Sequence, residues 1–357
     1  MQKIKFINKN KTHFYNTLKD RVDNYFAENH ISKNANITMV SKTVVMLLLY
    51  FVPLIIIYSQ LLGLLGMWLC SAIMGIGLAG IGMGIMHDAN HDAYSSNITL
   101  NKIIAFALTL GGGDNRNWKI QHNILHHTYT NIYEYDKDID NKVIMRFSPA
   151  GKRKAIQKFQ AFYVFFFYAI MTLYWTTAKD FVQYFQFKGL NQDSKTQRFI
   201  SFIKLLFWKL VYFTYIIVLP ITVLHIPWQY VLIGFLTLHT IAGLILSIVF
   251  QLAHVVSGTK FPIPDEKGNI ENEWAIHQME TTADFSRGSK IITYYVGGLN
   301  YQIEHHLFPR ICHIHYPKIA PIVEATAKEF GIPYIYNETI GKAFKSHMKV
   351  ISELGHS

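Results

Sequence analysis

Two scarcities bound this chain before any motif is read. Its 357 residues include only two cysteines, Cys70 inside an apolar run and Cys312 far from it, so a disulfide scaffold is excluded. Charge is thin as well: Asp, Glu, Lys and Arg make up 16% of the residues, against about 25% in ordinary soluble domains. Low-complexity tracts are missing, and 50% of the residues are hydrophobic, which excludes intrinsic disorder. The formal charge of +11 would suit a nucleic-acid binder, but such proteins are rarely this apolar, and no nucleic-acid partner is expected. The class that remains is a membrane protein.

The charge deficit is local. Residues 43–86 and 210–252 contain no Lys, Arg, Asp or Glu. Each block is long enough for two crossings of roughly 20 residues. Each therefore predicts a helical hairpin, 43–60 with 61–86 and 210–224 with 230–252. A cleaved signal peptide does not fit the first block, which begins too far in and is too long. All 34 Lys and Arg lie outside the blocks, eight in 1–42, sixteen in 87–209 and ten in 253–357. The positive-inside rule assigns all three segments, and both termini, to the cytoplasm.

The expected fold class is all-α: an integral membrane protein with four transmembrane helices in two hairpins, interfacial helices and a histidine-rich cytoplasmic cap. Its expected parts are a cytoplasmic N-terminal segment (1–42), a membrane domain (43–325) and a cytoplasmic C-terminal tail (326–357). The apolar run 161–178 is flanked by Lys152, Arg153, Lys154 and Lys158 before it and by Lys179 and Lys188 after it. Basic residues on both sides predict a helix lying in the cytoplasmic interface. Gly80 and Gly84 form a small-xxx-small pair, expected to serve close helix packing.

Seventeen histidines are the other departure from the ordinary. They cluster in HDANH (His87, His91), HNILHH (His122, His126, His127) and QIEHH (Gln302, His305, His306), with His254 in FQLAH. Positions i and i+4 share a helix face, and imidazole suits iron, zinc or copper. Eight such histidines are too many for one ion and about right for two. His87 and His254 follow the second and fourth hydrophobic helices, so both arrive at the cytoplasmic boundary. A crossing by 161–178 would put His254 and His305 on the face opposite His122, so the four-crossing and single-centre readings require each other.

His239 lies 15 residues before His254, about 22 Å along the same helix, and is expected to pack. His225 falls in the outer turn, and His13, His30, His347 and His356 carry no pattern. His277, His313 and His315 are candidates for structural or supporting roles.

The three boxes, extended by WKIQHNILHHTYTNIYEYDKDID and NYQIEHHLFPRICHIHYPKIAPIV, resemble the membrane fatty acid desaturase family over roughly residues 40–325. Gln302 at the head of the third box resembles the front-end (delta-5/delta-6-like) acyl desaturases and their sphingolipid relatives. The resemblance implies a cytoplasm-facing non-haem di-iron centre that activates O2 and removes two hydrogens from adjacent methylenes of a fatty acyl chain. By motif, the two irons would be held by His87, His91, His122, His126, His127, His254, His305 and His306. Gln302 stands where stearoyl-type relatives have histidine, and can ligate, hold a bound water or do neither. The acyl carrier is left open between CoA, a glycerolipid and a sphingolipid.

Many eukaryotic front-end relatives carry a fused cytochrome b5 domain with an HPGG motif, which is missing here. A separate electron donor such as ferredoxin or cytochrome b5 is therefore expected. Each imidazole needs a partner on its other nitrogen. Asp88 and Asp92 are the foremost candidates, with Glu304, Asp136 and Asp138 beside them. Trp118 and Asn117 can line an acyl tunnel or simply pack. Two alternatives stay open: a related di-iron hydroxylase or ketolase, and a non-redox membrane metal-binding or transport protein.

Overall fold

The computed structural model describes residues 4–9, 11–139, 144–190 and 194–357. After α1 (Phe14–Glu28) the chain enters α2 (Ile37–Ser59), which starts where the Asn36 side chain accepts from the amides of Thr38 and Met39. Gln60, at φ 55°, turns the chain back toward α3 (Leu64–Asn90). A short apolar helix α4 (Ile98–Leu110) and a broken helical run α5 (residues 115–129) come after it. Next are α6 (Ala155–Gly189), α7 (Lys195–Thr222), capped by Ser194, and α8 (Trp228–His254).

Among the described residues, α2, α3, α6, α7 and α8 are long and apolar enough to cross a membrane. The sequence predicts four crossings; the fifth candidate is α6, which contains the run 161–178. Ile37, Val44, Leu48 and Ile55 on α2 and Phe199, Phe207 and Leu210 on α7 stand bare on the surface. Apolar area of that extent needs a lipid neighbour.

The helices approach closely where glycine permits. Gly80 faces Met46 and Gly84 faces the Lys42 side chain, so the small-residue stripe of α3 serves packing against α2, as the spacing predicts. Gly243 of α8 lies against the carbonyls of Tyr168 and Ala169 on α6; a Cβ there would sit 2.6 Å from both oxygens.

In α6 the usual polarity is reversed. Gln157, Gln160, Thr172, Thr176, Asp180 and Gln183 are buried, while Phe159, Phe162, Phe166 and Phe185 are exposed. The inward polar groups find partners. Thr172 donates to the His239 carbonyl (2.7 Å), and Asp180 pairs with buried Lys209 (2.7 Å). Near its start Gln160 donates to the Ile351 carbonyl, and near its end Gln183 bonds Gln121.

The remaining elements form a cap: α9 (Trp274–Thr281), α10 (Lys290–Tyr295), α11 (Gln302–Leu307), α12 (Tyr316–Glu329) and α13 (Ile340–His356). Its core joins Phe14, Leu18, Val22 and Phe26 of α1 to Met279, Tyr316, Ile319 and Val323. Two short parallel pairs tie distant segments together: β1 (Lys5–Ile7) with β2 (Asn269–Glu271), and β3 (Asp284–Phe285) with β4 (Tyr336–Asn337).

Candidate metal centre

Both N-terminal histidine boxes are placed by π-turns. One, Ile81–Ile85, ends two residues before His87; the other, Ile120–His126, contains His122 and His126 of the second box, and His127 follows it. A π-turn inserts an extra residue into the helical ladder and rotates the side chains beyond it to a new face, and such turns recur at functional sites. His254 is the last residue of α8, and His305 and His306 lie in α11.

These elements bring all eight predicted histidines into one buried cluster. His87, His91, His122 and His305 each offer a nitrogen within 4.8 Å of the others, and His126, His254 and His306 form a second such group. His127 joins His305 and His306 in a third, overlapping group. The Nε2 atoms of His87 and His122 face each other at 3.1 Å, and those of His127 and His305 at 3.0 Å.

The outer nitrogens are held by the protein. Asp136 accepts from Nδ1 of His126 (3.0 Å), and Asp138 from Nδ1 of His122 (3.2 Å). Gln278 lies 2.8 Å from Nδ1 of His306, and the Tyr316 hydroxyl 3.2 Å from Nδ1 of His305. Gln302 rests its amide nitrogen 2.9 Å from Nε2 of His254. Other ring nitrogens differ. Nε2 of His91, His126 and His306 and Nδ1 of His127 and His254 are buried without a partner among the described residues. Orphaned buried nitrogens are costly, and lone pairs converging from several imidazoles are the donor set a metal ion requires. The residues present fit the group.

Electrostatics keeps most of the donors neutral. Burial, then the neighbouring imidazoles, push His91, His127, His305 and His306 well below the ordinary histidine value. Burial also lowers His122, against its bond to Asp138. His126 is the exception: burial works against its charged form, but the Asp136 carboxylate outweighs burial and raises it. Burial alone would raise the Asp138 carboxyl; its bond to His122 and the charge of His126 hold it well below the carboxylate range.

The other candidates fall elsewhere. Asp88 accepts from Nδ1 of His313 (2.8 Å), whose Nε2 faces buried Lys42 at 2.9 Å. Asp92 is exposed at φ 58°. Glu304 accepts from Tyr334 (2.7 Å) and lies beside Asp284. Two acids of the loop after the second box thus stand behind cluster histidines, in place of Asp88 and Asp92. His239 packs, bonded to Tyr212 (2.7 Å) and Thr172 (3.2 Å). His277 is buried against the Phe6 ring, and His315 reaches the Asn34 carbonyl. Sequence reasoning missed Gln278, Tyr316 and His347.

A cavity of about 490 Å³ reaches the cluster. His87, His122, Trp118 and Gln302 line it, and its walls are Leu78, Ile81, Met83 and Met86 of α3, Leu108 of α4, Phe167, Tyr168 and Met171 of α6, and Leu246 and Phe250 of α8. Trp118 stacks on His122 with centroids 4.5 Å apart, so it both packs and lines the cavity, while Asn117 is tied to the Asp180 carbonyl. Polar groups line it too, among them Gln121, Asp138, Lys179 and Gln251.

These features define a helical membrane protein with a histidine-built metal site beside an apolar cavity. The chain belongs to the fatty acid desaturase family, whose model matches residues 62–338. It is 35% identical to a sn-1 linoleoyl-lipid 6-desaturase of Synechocystis over 99% of this chain and 98% of that protein. It is 34% identical to an acyl-lipid (8-3)-desaturase of Physcomitrium patens (96% and 72%), and 29% identical to Delta(5) fatty acid desaturase A of Dictyostelium discoideum (97% and 76%).

Proposed function

We propose that this fatty acid desaturase is a front-end enzyme that uses O2 to introduce a cis double bond near the carboxyl end of a lipid-borne acyl chain. The observation that carries the reading is the meeting of eight histidines, five of them with a partnerless nitrogen, beside an apolar cavity. Two irons are the reading for the metal, held by His87, His91, His122 and His305 on one side and by His126, His254 and His306 on the other, with His127 between them. Bound iron would supply the O2 activation and hydrogen abstraction that acid–base groups cannot perform on an unactivated methylene. The chain's own residues orient and exclude. Asp136, Asp138, Gln278 and Tyr316 fix the imidazoles, while Trp118, Met83 and Phe250 wall the acyl chain from water.

Four crossings, with α6 in the interface, fit this arrangement. The start of α6 touches Ile351, which packs with Val255 beside His254, and its end touches Gln121 beside His122. Gln160 and Gln183 thus each touch a segment adjoining the histidine cluster, while Ala169 and Thr172 between them pack on Gly243 and His239 of α8. An even number of crossings between the second box and His254 follows from their shared cluster, and the basic segments assign that side to the cytoplasm. Electrons would come from a separate carrier, a ferredoxin or cytochrome b5 type.

The test is fatty-acid profiling by mass spectrometry, with double-bond location, in a host expressing the chain. A product 2 Da lighter than its precursor is expected; a gain of 16 Da would mean a hydroxylase, and an unchanged profile would remove the redox reading. His126→Ala should abolish product while the protein still reaches the membrane fraction.

A further inference from the structure

Three charged side chains stand on the cavity wall: Lys137, Lys179 and Asp138. Asp138 is turned into the protein, accepting from Gln121 and from Nδ1 of His122 (3.2 Å). Asp180, next to Lys179 in the chain, pairs with Lys209 (2.7 Å) and accepts from Trp175 (3.0 Å). Both acids near Lys179 are thus engaged with other groups. Lys179 itself is half-buried, and its ammonium lies over the Trp175 ring, 4.8 Å from the centroid. Among the described residues it has no hydrogen-bond acceptor and no ion-pair partner. A cation drawn partly out of water without an acceptor is short of a counter-charge.

The backbone at this point is also unusual. Lys179 closes another π-turn, Trp175–Lys179, the device that places the two N-terminal histidine boxes. Trp175, Thr176 and Lys179 all line the cavity, with Tyr174 beside them. Four residues further on, Gln183 bonds Gln121, the neighbour of His122, so the turn adjoins the cluster. Tyrosine, tryptophan and lysine are the side chains that settle at the headgroup level of a bilayer. The group that reaches this level with a desaturase substrate is the polar head joined to the acyl chain. A galactose head offers neutral hydroxyls. A phosphate head offers charged oxygens, and a lysine ammonium is a point-charge partner for phosphate. Two lysines against one carboxylate on the wall favour the anionic head.

We propose that Lys179 selects the acyl carrier: its ammonium pairs with a phosphate oxygen of the head while the acyl chain enters the cavity past Trp175. The carrier is then one that bears phosphate, a phosphoglyceride or an acyl-CoA. Neutral glycolipids are disfavoured because they leave the ammonium without a counter-charge. This inference rests on the desaturase reading and adds to it the chemistry of the group that carries the chain.

The experiment expresses wild type, Lys179→Gln, Lys179→Met and Lys179→Arg in a host whose membranes hold both phosphoglycerides and galactolipids. A pulse of labelled fatty acid is given. The readings are metal content per chain and the carrier on which labelled unsaturated product first appears. For wild type that carrier is expected to be a phosphoglyceride or acyl-CoA, and which of the two it is identifies the source of the phosphate. In the glutamine and methionine variants, at unchanged metal content, initial product on that carrier relative to galactolipid should fall about ten-fold, the weight of one hydrogen bond to a charged group. Lys179→Arg keeps the charge and should keep the preference. Wild-type product arising first on galactolipid would overturn the proposal, as would a wild-type preference in the neutral variants or its equal loss in the arginine variant. So would an equal loss from every carrier at full metal content, which is failure of turnover, and so would loss of metal in both neutral variants, which would make Lys179 a brace of the centre. If the wild type itself makes no unsaturated product, the desaturase reading has failed instead.

Discussion

Nδ1 of His126 lies 3.0 Å from Oδ2 of Asp136, and both side chains are wholly buried. The same carboxylate accepts from the Asn131 amide (2.9 Å) and the Asp138 amide (3.0 Å), so its own orientation is fixed by the loop that carries it. Substituting Asp136→Asn should lower metal content or turnover by about 10–100-fold, the usual cost of losing a group that orients a metal ligand. Metal analysis of the purified protein beside product formation checks it. Full occupancy with normal turnover would show that His126 needs no such support.

Gln278 plays the corresponding part for His306, and Thr130 shares its oxygen at 2.8 Å. Gln278→Leu removes the acceptor without adding bulk and leaves Nδ1 of His306 facing an apolar group. Metal content should drop by about ten-fold or more, with Gln278→Glu retaining most of it. Equal metal content in both variants would place the glutamine outside the site's support.

A pH dependence comes from a histidine outside the cluster. His347 of α13 accepts from the Tyr168 hydroxyl and donates from Nδ1 to the Val255 carbonyl (2.7 Å), and burial pushes its pKa down to about 4. Its neutral form is the folded form, so the unfolded chain binds the extra proton. Its stabilising contribution is complete above the ordinary histidine value of about 6.5 and is lost as pH falls toward 4, amounting to about 3 kcal/mol. Thermal unfolding in detergent across that range should show a slope to which the buried cluster histidines also contribute, and His347→Gln should reduce it.

At the contact between α6 and α8, Gly243→Ala places a methyl 2.6 Å from two carbonyl oxygens, so the helices must separate. Overpacking of this kind costs about 1–3 kcal/mol. A lower midpoint in detergent, with less cavity-dependent product, is the expected outcome. An unchanged midpoint would mean the two helices are free to shift.

The eight histidines could be read from the sequence because their spacing repeats and because two of them end apolar helices. Their supports were legible only in part: Asp136 and Asp138 stood among five acidic candidates but could not be ranked first, and Gln278 and Tyr316 carried no signal of their own. Asp136 and Asp138 sit in a loop, 10 residues or more from the histidines they hold, with no periodicity to announce them. Asp88 and Asp92 looked better placed because they adjoin box histidines, yet neighbours on a helix point to different sides; Asp88 turns to His313. Gln278 lies in a stretch whose only sequence signal is an adjacent histidine, and His277 itself points elsewhere. For α6, apolar content gave the helix, and the sequence clues to its orientation were its flanking charges and the parity that one histidine centre demands. The reversed burial of its glutamines and threonines depends on partners in α8, α13 and α5 that no local pattern encodes.

The clasp between His347 and Tyr168 has a consequence for biogenesis. The wall of the substrate chamber is braced by a segment that comes after all five apolar helices in the chain. Because α13 is made last, the flank it braces lacks that support until α13 has been synthesised. Maturation then includes the docking of α13 against α6, a step that ribosome-bound or truncated forms cannot complete.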